Sequence, residues 1–144
     1  MTHGFDSSFL VAAEVSGHPQ HTLARGRLLQ LRQAGDNFAL APQVVAEFIH
    51  VVTDDKRFTR PLPMEAALER SRAWWISPEV APLWPDQEAI RLFFVWMTTH
   101  RLGRKRILDT LLAATYRSAG ISSLLTTNAR DFSIFGGFTC LVPA

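Results

Sequence analysis

Cysteine is almost missing from this chain. Cys140 is the only one, which excludes an intrachain disulfide and any zinc site built on several thiolates. A reducing compartment fits that usage. Long apolar runs are missing too: the longest, Leu92 to Met97, falls far short of the roughly 20 residues a membrane span needs. Excess charge is small, +2 with His neutral. The basic isoelectric point, about 9.2, follows because one Tyr and one Cys leave little to titrate between neutrality and the lysine range. So mild a basicity does not by itself imply nucleic acid, but it permits a local basic patch. Met1 to Asp6 has neither a basic n-region nor an apolar run, so no signal peptide is expected. No membrane association is expected, and a cytoplasmic protein is. The pairs His18 with His21 and His50 with His100 lack the third and fourth ligands of a zinc site.

What is present is a globular composition, 47% apolar over 144 residues, which suits one domain, 1–144, with a real core. Asp6-Ser7-Ser8 supplies helix-capping residue types ahead of Phe9, Leu10 and Val11. The strand before it, Thr2-His3-Gly4, is weak. Leucines 23, 28, 29 and 31 recur near helical spacing up to Gly35. Phe38 to Ala41 reads as a short buried strand, and Pro42 opens a helix carrying Val44, Val45, Phe48 and Ile49. A polar loop, Thr53 to Pro63, precedes a helix from Met64 to Ile76, in which Ala67, Leu68, Trp74 and Trp75 are available for burial. A possible strand at Val80 to Leu83 precedes a helix from Asp86 to about His100, apolar around much of its circumference. Such a helix is either deeply buried or covered by a partner. Arg106 to Leu108 makes a very short strand at best. A helix then runs to Gly120, a strand from Ile121 to Leu125, and a last strand from Phe138 to Val142. Alternating strands and helices imply a three-layer α/β/α architecture with a mainly parallel central sheet.

Four acids share a position type. Asp6, Glu47, Asp109 and Asp131 each follow a strand or sit in the first turns of the helix after one. In a parallel sheet all four approach one edge, the crevice where such folds bind ligands. Four carboxylates there cannot all stay ionised without cations to offset their repulsion. Oxygen-only ligation points to a hard divalent ion, Mg²⁺ or Mn²⁺. Such an ion suits phosphodiester hydrolysis by an activated water. Taken alone, any one Asp at a helix start is more often a cap than a ligand, and Glu47 reads equally as an ordinary surface residue.

These residues lie in motifs that resemble a known family. Asp6-Ser7-Ser8 looks like the opening Asp-Thr-Asn/Ser of PIN-domain ribonucleases, and Glu47 in Val44-Val45-Ala46-Glu47-Phe48 like their helical Glu. Asp109-Thr110-Leu111-Leu112-Ala113-Ala114 is similar to their Asp-Ala-x-Ile/Leu-Ala-Ala helix. Thr126 to Phe132 is similar to their Thr-x-Asn-x-x-Asp-Phe signature. Val51-Val52-Thr53 and Pro61 to Ala66 are like segments found in some VapC toxins of bacterial toxin–antitoxin pairs.

The resemblance implies a PIN-like fold and a Mg²⁺-dependent endoribonuclease, the toxin of a type II pair, held inactive by a cognate antitoxin. It implies Asp6, Glu47, Asp109 and Asp131 as catalytic, metal-holding acids. Ser8 and Thr127 would contact the acids or the scissile phosphate, and Asn128 would position Asp131. The helices carrying Trp74, Trp75, Trp84 and Trp96 would serve homodimer and antitoxin contacts. Beside Asp109, Arg101, Arg104, Lys105 and Arg106 form a basic cluster that reads either as an RNA-backbone contact or as a solvated turn. A receiver domain would want paired acids after its first strand and a late lysine. An aspartyl phosphatase would want an Asp where Ser8 stands. A PIN-like protein kept only to bind an antitoxin or RNA is the non-enzymatic alternative.

Overall fold

The computed structural model describes residues 1–144, in which five short strands alternate with seven helices. Strand β1 (Thr2–Phe5) leads into α1 (Ser7–Glu14) and α2 (His21–Gln33), and β2 (Asn37–Leu40) into α3 (Pro42–Val52) and α4 (Met64–Trp75). Strand β3 (Val80–Pro82) leads into α5 (Gln87–Thr99), a 3₁₀ turn at Arg104–Arg106 and α6 (Ile107–Ser118). Strand β4 (Ser123–Leu125), α7 (Arg130–Ser133) and β5 (Thr139–Leu141) complete the chain. Local chemistry sets these boundaries. Pro42 opens α3, where its missing N–H has no partner to lose. The Asp86 carboxylate accepts from the Ala89 amide at 2.8 Å and caps α5. None of the helices is long and apolar enough to cross a membrane.

All strand pairs are parallel, in the order β3-β2-β1-β4-β5. From β1 the chain steps outward to β2 and β3. It then crosses back to lay β4 on the other side of β1. The strand order therefore reverses between β1 and β4, where open sheets of this kind form their ligand crevice. Helices α1 to α4 pack on one another, as do α5 to α7, and the sheet lies between the two groups. One buried cluster runs from Phe5 to Phe135. At its centre Phe5 stacks on Phe38 at 5.1 Å, and Trp74 meets Phe5 edge-on at 5.1 Å. Trp74 is itself fixed by its indole N–H, which donates to Glu14 Oε1 at 2.7 Å.

Several sequence expectations need correction. The weak Thr2-His3-Gly4 segment is the central strand, paired on both edges. Its apolar bulk comes from elsewhere: the fully buried Tyr116 ring lies where a Gly4 side chain would be. Buried His3 is satisfied by Ser123 Oγ at 2.7 Å and Asp36 Oδ2 at 2.9 Å. Arg106-Ile107-Leu108 is no strand, since the 3₁₀ turn runs straight into α6 and places Asp109 in its first turn. Leu23 and Leu29 face outward; α2 buries Ala24 and Leu28 instead. Leu68 of α4 is exposed as well. Helix α5 is neither fully buried nor fully bare: it buries Trp96 against Phe135 at 4.6 Å and leaves Ile90, Phe94 and Val95 exposed.

Candidate active site

The site begins with strand register. Phe5 and Leu125, the last residues of β1 and β4, are partners, and the Asp6 amide still donates to the Leu125 carbonyl at 2.9 Å. Asp6 and Thr126 must then leave the sheet side by side. Thr126 Oγ1 donates to Asp6 Oδ2 at 2.7 Å, and Ser8 Oγ donates to the same oxygen at 2.7 Å. Asp6 occupies the capping position of α1, yet its side chain makes no cap hydrogen bond. Its carboxylate is held by hydroxyls and aimed at the crevice, so the simple capping reading fails here. Ser8 also accepts the Thr127 amide at 3.0 Å, and Thr126 Oγ1 accepts the Asn128 amide at 3.0 Å. The turn after β4 is thereby tied to the start of α1.

Asp6, Ser8, Glu47, Asp109, Thr127 and Asn128 line one cleft of ≈ 550 Å³. Glu47 reaches it from the middle of α3 and Asp109 from the first turn of α6. Asp131 does not line the cleft wall, but it stands close enough to raise the pKa of both Asp6 and Asp109. The Asp131 amide donates to the Asn128 carbonyl at 3.0 Å, a main-chain turn bond that does not involve the Asn128 side chain.

The electrostatics show how poorly these charges sit together. Burial pushes Asp6 above the usual carboxylate range, despite the bonds from Thr126 and Ser8 that favour its charged form. Burial also raises Glu47; the Asp6 charge adds to this, while Ser7, Arg57 and His50 oppose it. Asp109 is pushed up to about 7, first by burial and then by Asp6, Asp131 and Glu47, with Arg106 opposing. Oxygen donors alone, converging and mutually repelling, match the demands of a hard divalent cation. As they stand, no three of these groups are gathered tightly enough to close on one ion. The fit therefore rests on donor chemistry and on repulsion that a cation relieves.

The basic cluster divides. Arg104 and Lys105 are exposed. Arg106 turns inward, its guanidinium donating to the Asp131 carbonyl, and its Nε is buried without a partner. Three contributors escape a reading of the sequence. Thr126 is fully buried and grips Asp6; Ser7 stands close enough to Glu47 to favour its charged form; Arg57 enters the cleft from the loop after α3. Thr126 had a visible signal, a hydroxyl directly after a strand and in line with Asp6, whereas Arg57 had none. Valine at Thr126 keeps the shape but leaves a buried carboxylate oxygen short of a donor. Thr126→Val is expected to cost about 1–3 kcal/mol, and Thr126→Ser to retain most of the stability, by thermal unfolding at pH 8.

A family model for the PIN domain matches residues 5–137. The chain belongs to the PIN domain family. Among PIN relatives, ribonuclease VapC24 of Mycobacterium tuberculosis is 29% identical over 139 residues, covering 91% of this chain and 89% of that one. The fold is shared with VapC20 of M. tuberculosis, a sarcin-ricin loop cleaving toxin, at a TM-score of 0.71 and 19% identity over 95% of this chain and 96% of that one. It is shared also with VapBC-1 of nontypeable Haemophilus influenzae, at a TM-score of 0.69 and 17% identity over 99% and 98%. The five parallel strands between two helical layers are thus a PIN architecture.

Proposed function

We propose that this PIN domain, spanning residues 1–144, is a divalent-metal-dependent endoribonuclease and the toxin of a type II toxin–antitoxin pair. The observation that carries the reading is the convergence of Asp6, Glu47 and Asp109 on one cleft, with Asp131 near enough to raise two pKa values in the set. The ribonuclease and toxin relatives support the substrate class and the biological role. Asp6, Glu47, Asp109 and Asp131 would hold Mg²⁺ or Mn²⁺. The chemistry such an ion supplies when bound is polarisation of a phosphoryl oxygen and a lower pKa for the attacking water.

The chain's own groups do the positioning. Thr126 and Ser8 fix the Asp6 carboxylate, and burial keeps bulk water from screening it. Arg106 holds the Asp131 main chain and offsets part of the charge on Asp109. In this reading Thr127 and Asn128, at the cleft wall, face the scissile phosphate. Arg104 and the flank of Arg106 meet the RNA backbone.

Exposed Trp84, Ile90, Phe94 and Val95 give α5 and the segment before it an apolar surface suited to a homodimer and to a cognate antitoxin. Phe94→Glu is expected to shift any dimer toward monomer by light scattering; an unchanged mass would remove α5 from the interface.

The decisive test is cleavage of structured RNA by the antitoxin-free protein. Activity is expected with Mg²⁺ or Mn²⁺ and should vanish in EDTA. A folded protein that cleaves nothing under any of these conditions would favour the binding-only alternative.

A further inference from the structure

The cleft does not end at the acids. Its far wall is built by His18, Pro19, Arg57 and Phe58. The same four residues wall a second chamber of ≈ 420 Å³, which continues to Gly17, Thr59 and Arg60. The two spaces therefore form one groove, acidic at one end and basic at the other, with an aromatic ring between.

The residues at the basic end are organised. The Asp54 carbonyl accepts the amides of Arg57 at 3.2 Å and Phe58 at 3.1 Å, closing a tight turn that presents the two side chains together. Phe58 packs partly against the core, so its ring is anchored while it still lines both chambers. Arg57 is only loosely held: its Nε lies 3.5 Å from Asp54 Oδ2, and its side chain is 61% exposed. Arg60 is exposed. His18 accepts the Gln20 amide on Nδ1 at 3.0 Å. Its neutral ring therefore carries the proton on Nε2, leaving a donor free. Burial, with His21 beside it, lowers the His18 pKa, so the neutral form is the relevant one.

We propose that this second chamber is a subsite for a single-stranded nucleotide next to the scissile phosphate. Its base stacks on Phe58, its flanking phosphates lie against Arg57 and Arg60, and His18 Nε2–H donates to it. The assignment rests on the nuclease reading above and adds to it which residues receive the flanking nucleotide and that the strand enters from the side of the loop after α3. An aromatic face beside arginines is how sequence-tolerant single-strand sites are built. A continuous polyanion satisfies both ends of the groove, meeting guanidinium groups at one end and cation-loaded carboxylates at the other. An acidic peptide would have no comparable use for the aromatic platform.

Fluorescence anisotropy with labelled hexauridylate, in EDTA so that nothing is cleaved, tests this apart from catalysis. The Arg57→Gln/Arg60→Gln double variant is expected to weaken binding at least tenfold and to reduce the log–log salt slope by about 1.4, the loss of two single-strand phosphate contacts. Phe58→Leu keeps the volume packed on the core but removes the π-face, and is expected to weaken binding at least about fivefold. In cleavage assays the same variants should raise KM for structured RNA. Arg60→Gln alone, at a residue that lines only the second chamber, should leave hydrolysis of bis(p-nitrophenyl) phosphate, which has no flanking nucleotide, within about twofold of wild type. Hexauridylate binding unchanged in both variants would overturn the subsite, as would displacement by hexaglutamate as effective as by unlabelled hexauridylate. Binding lost in the variants while the wild type cleaves neither substrate would retain the subsite and reject the nuclease reading.

Discussion

Asp109→Asn is expected to abolish RNA cleavage, by about 10²–10³-fold or more on the scale of removing one charge-stabilising group from a reaction centre. At the same time it should make the metal-free protein more stable. The two effects have one origin. Asp109 is raised to about 7 by burial and by the charges of Asp6, Asp131 and Glu47, so the folded chain holds its proton where the unfolded chain has released it. Stability falls with pH wherever the folded state binds more protons. The metal-free wild type should therefore lose stability as pH climbs from about 4 toward about 7, with little further loss from Asp109 above about 8. Asp6 and Glu47, raised in the same direction, add to the trend. The asparagine side chain carries no charge at any of these pH values. The variant's melting temperature should match wild type near pH 4 and exceed it most at pH 8, in EDTA. Added Mg²⁺ should then raise the wild type at pH 8 through ligand linkage and raise the variant much less. Equal cleavage by both proteins, or a wild-type melting temperature that rises between pH 5 and 8 while the variant's does not, would remove Asp109 from the site.

That Asp6, Glu47 and Asp109 line one cleft was legible in part, because it depends largely on topology; that Asp131 stands back from the cleft wall was not. A parallel sheet delivers every strand's carboxyl end to one edge. The places of Asp6 after β1 and of Glu47 on the helix opened by Pro42 could therefore be read from the apolar runs around them. Asp109 instead reaches the edge from a helix that no strand directly precedes. Which hydroxyls hold Asp6 was not legible to the same degree. Thr126 grips it only because Phe5 and Leu125 fall in register across β1 and β4, a pairing no local pattern encodes. Arg57, Phe58 and His18 meet through two loops, where neither periodicity nor capping chemistry constrains the path. Arg106 looked like an outward basic group because its neighbours are. The 3₁₀ turn rotates it toward the Asp131 carbonyl, and with only Gly103 to mark the break that rotation had no signature.

The central strand was the least legible element, and it carries the second large prediction. A β-carbon on Gly4 would lie 2.7 Å from Tyr116 Cε2 and 2.8 Å from Cδ2, closer than real side-chain contacts allow. A flexible neighbour would yield, but this ring is fully buried and tethered at its tip. Its hydroxyl donates to the Phe5 carbonyl at 2.6 Å, with the Ala39 carbonyl at 3.3 Å. Shifting the ring disturbs β1 and β2 together, one residue before Asp6. Gly4→Ala should therefore cost about 3 kcal/mol, the upper end for overpacking a core, or roughly 10 °C in melting temperature for a chain of this size. Tyr116→Leu alone is also destabilising, through lost volume and lost hydrogen bonds. Combined with Gly4→Ala, however, it removes the clash, so the double variant should lie at least about 1 kcal/mol above the sum of the two single losses. Additive losses in that cycle would show that Gly4 is required by the strand itself and not by the ring packed on it.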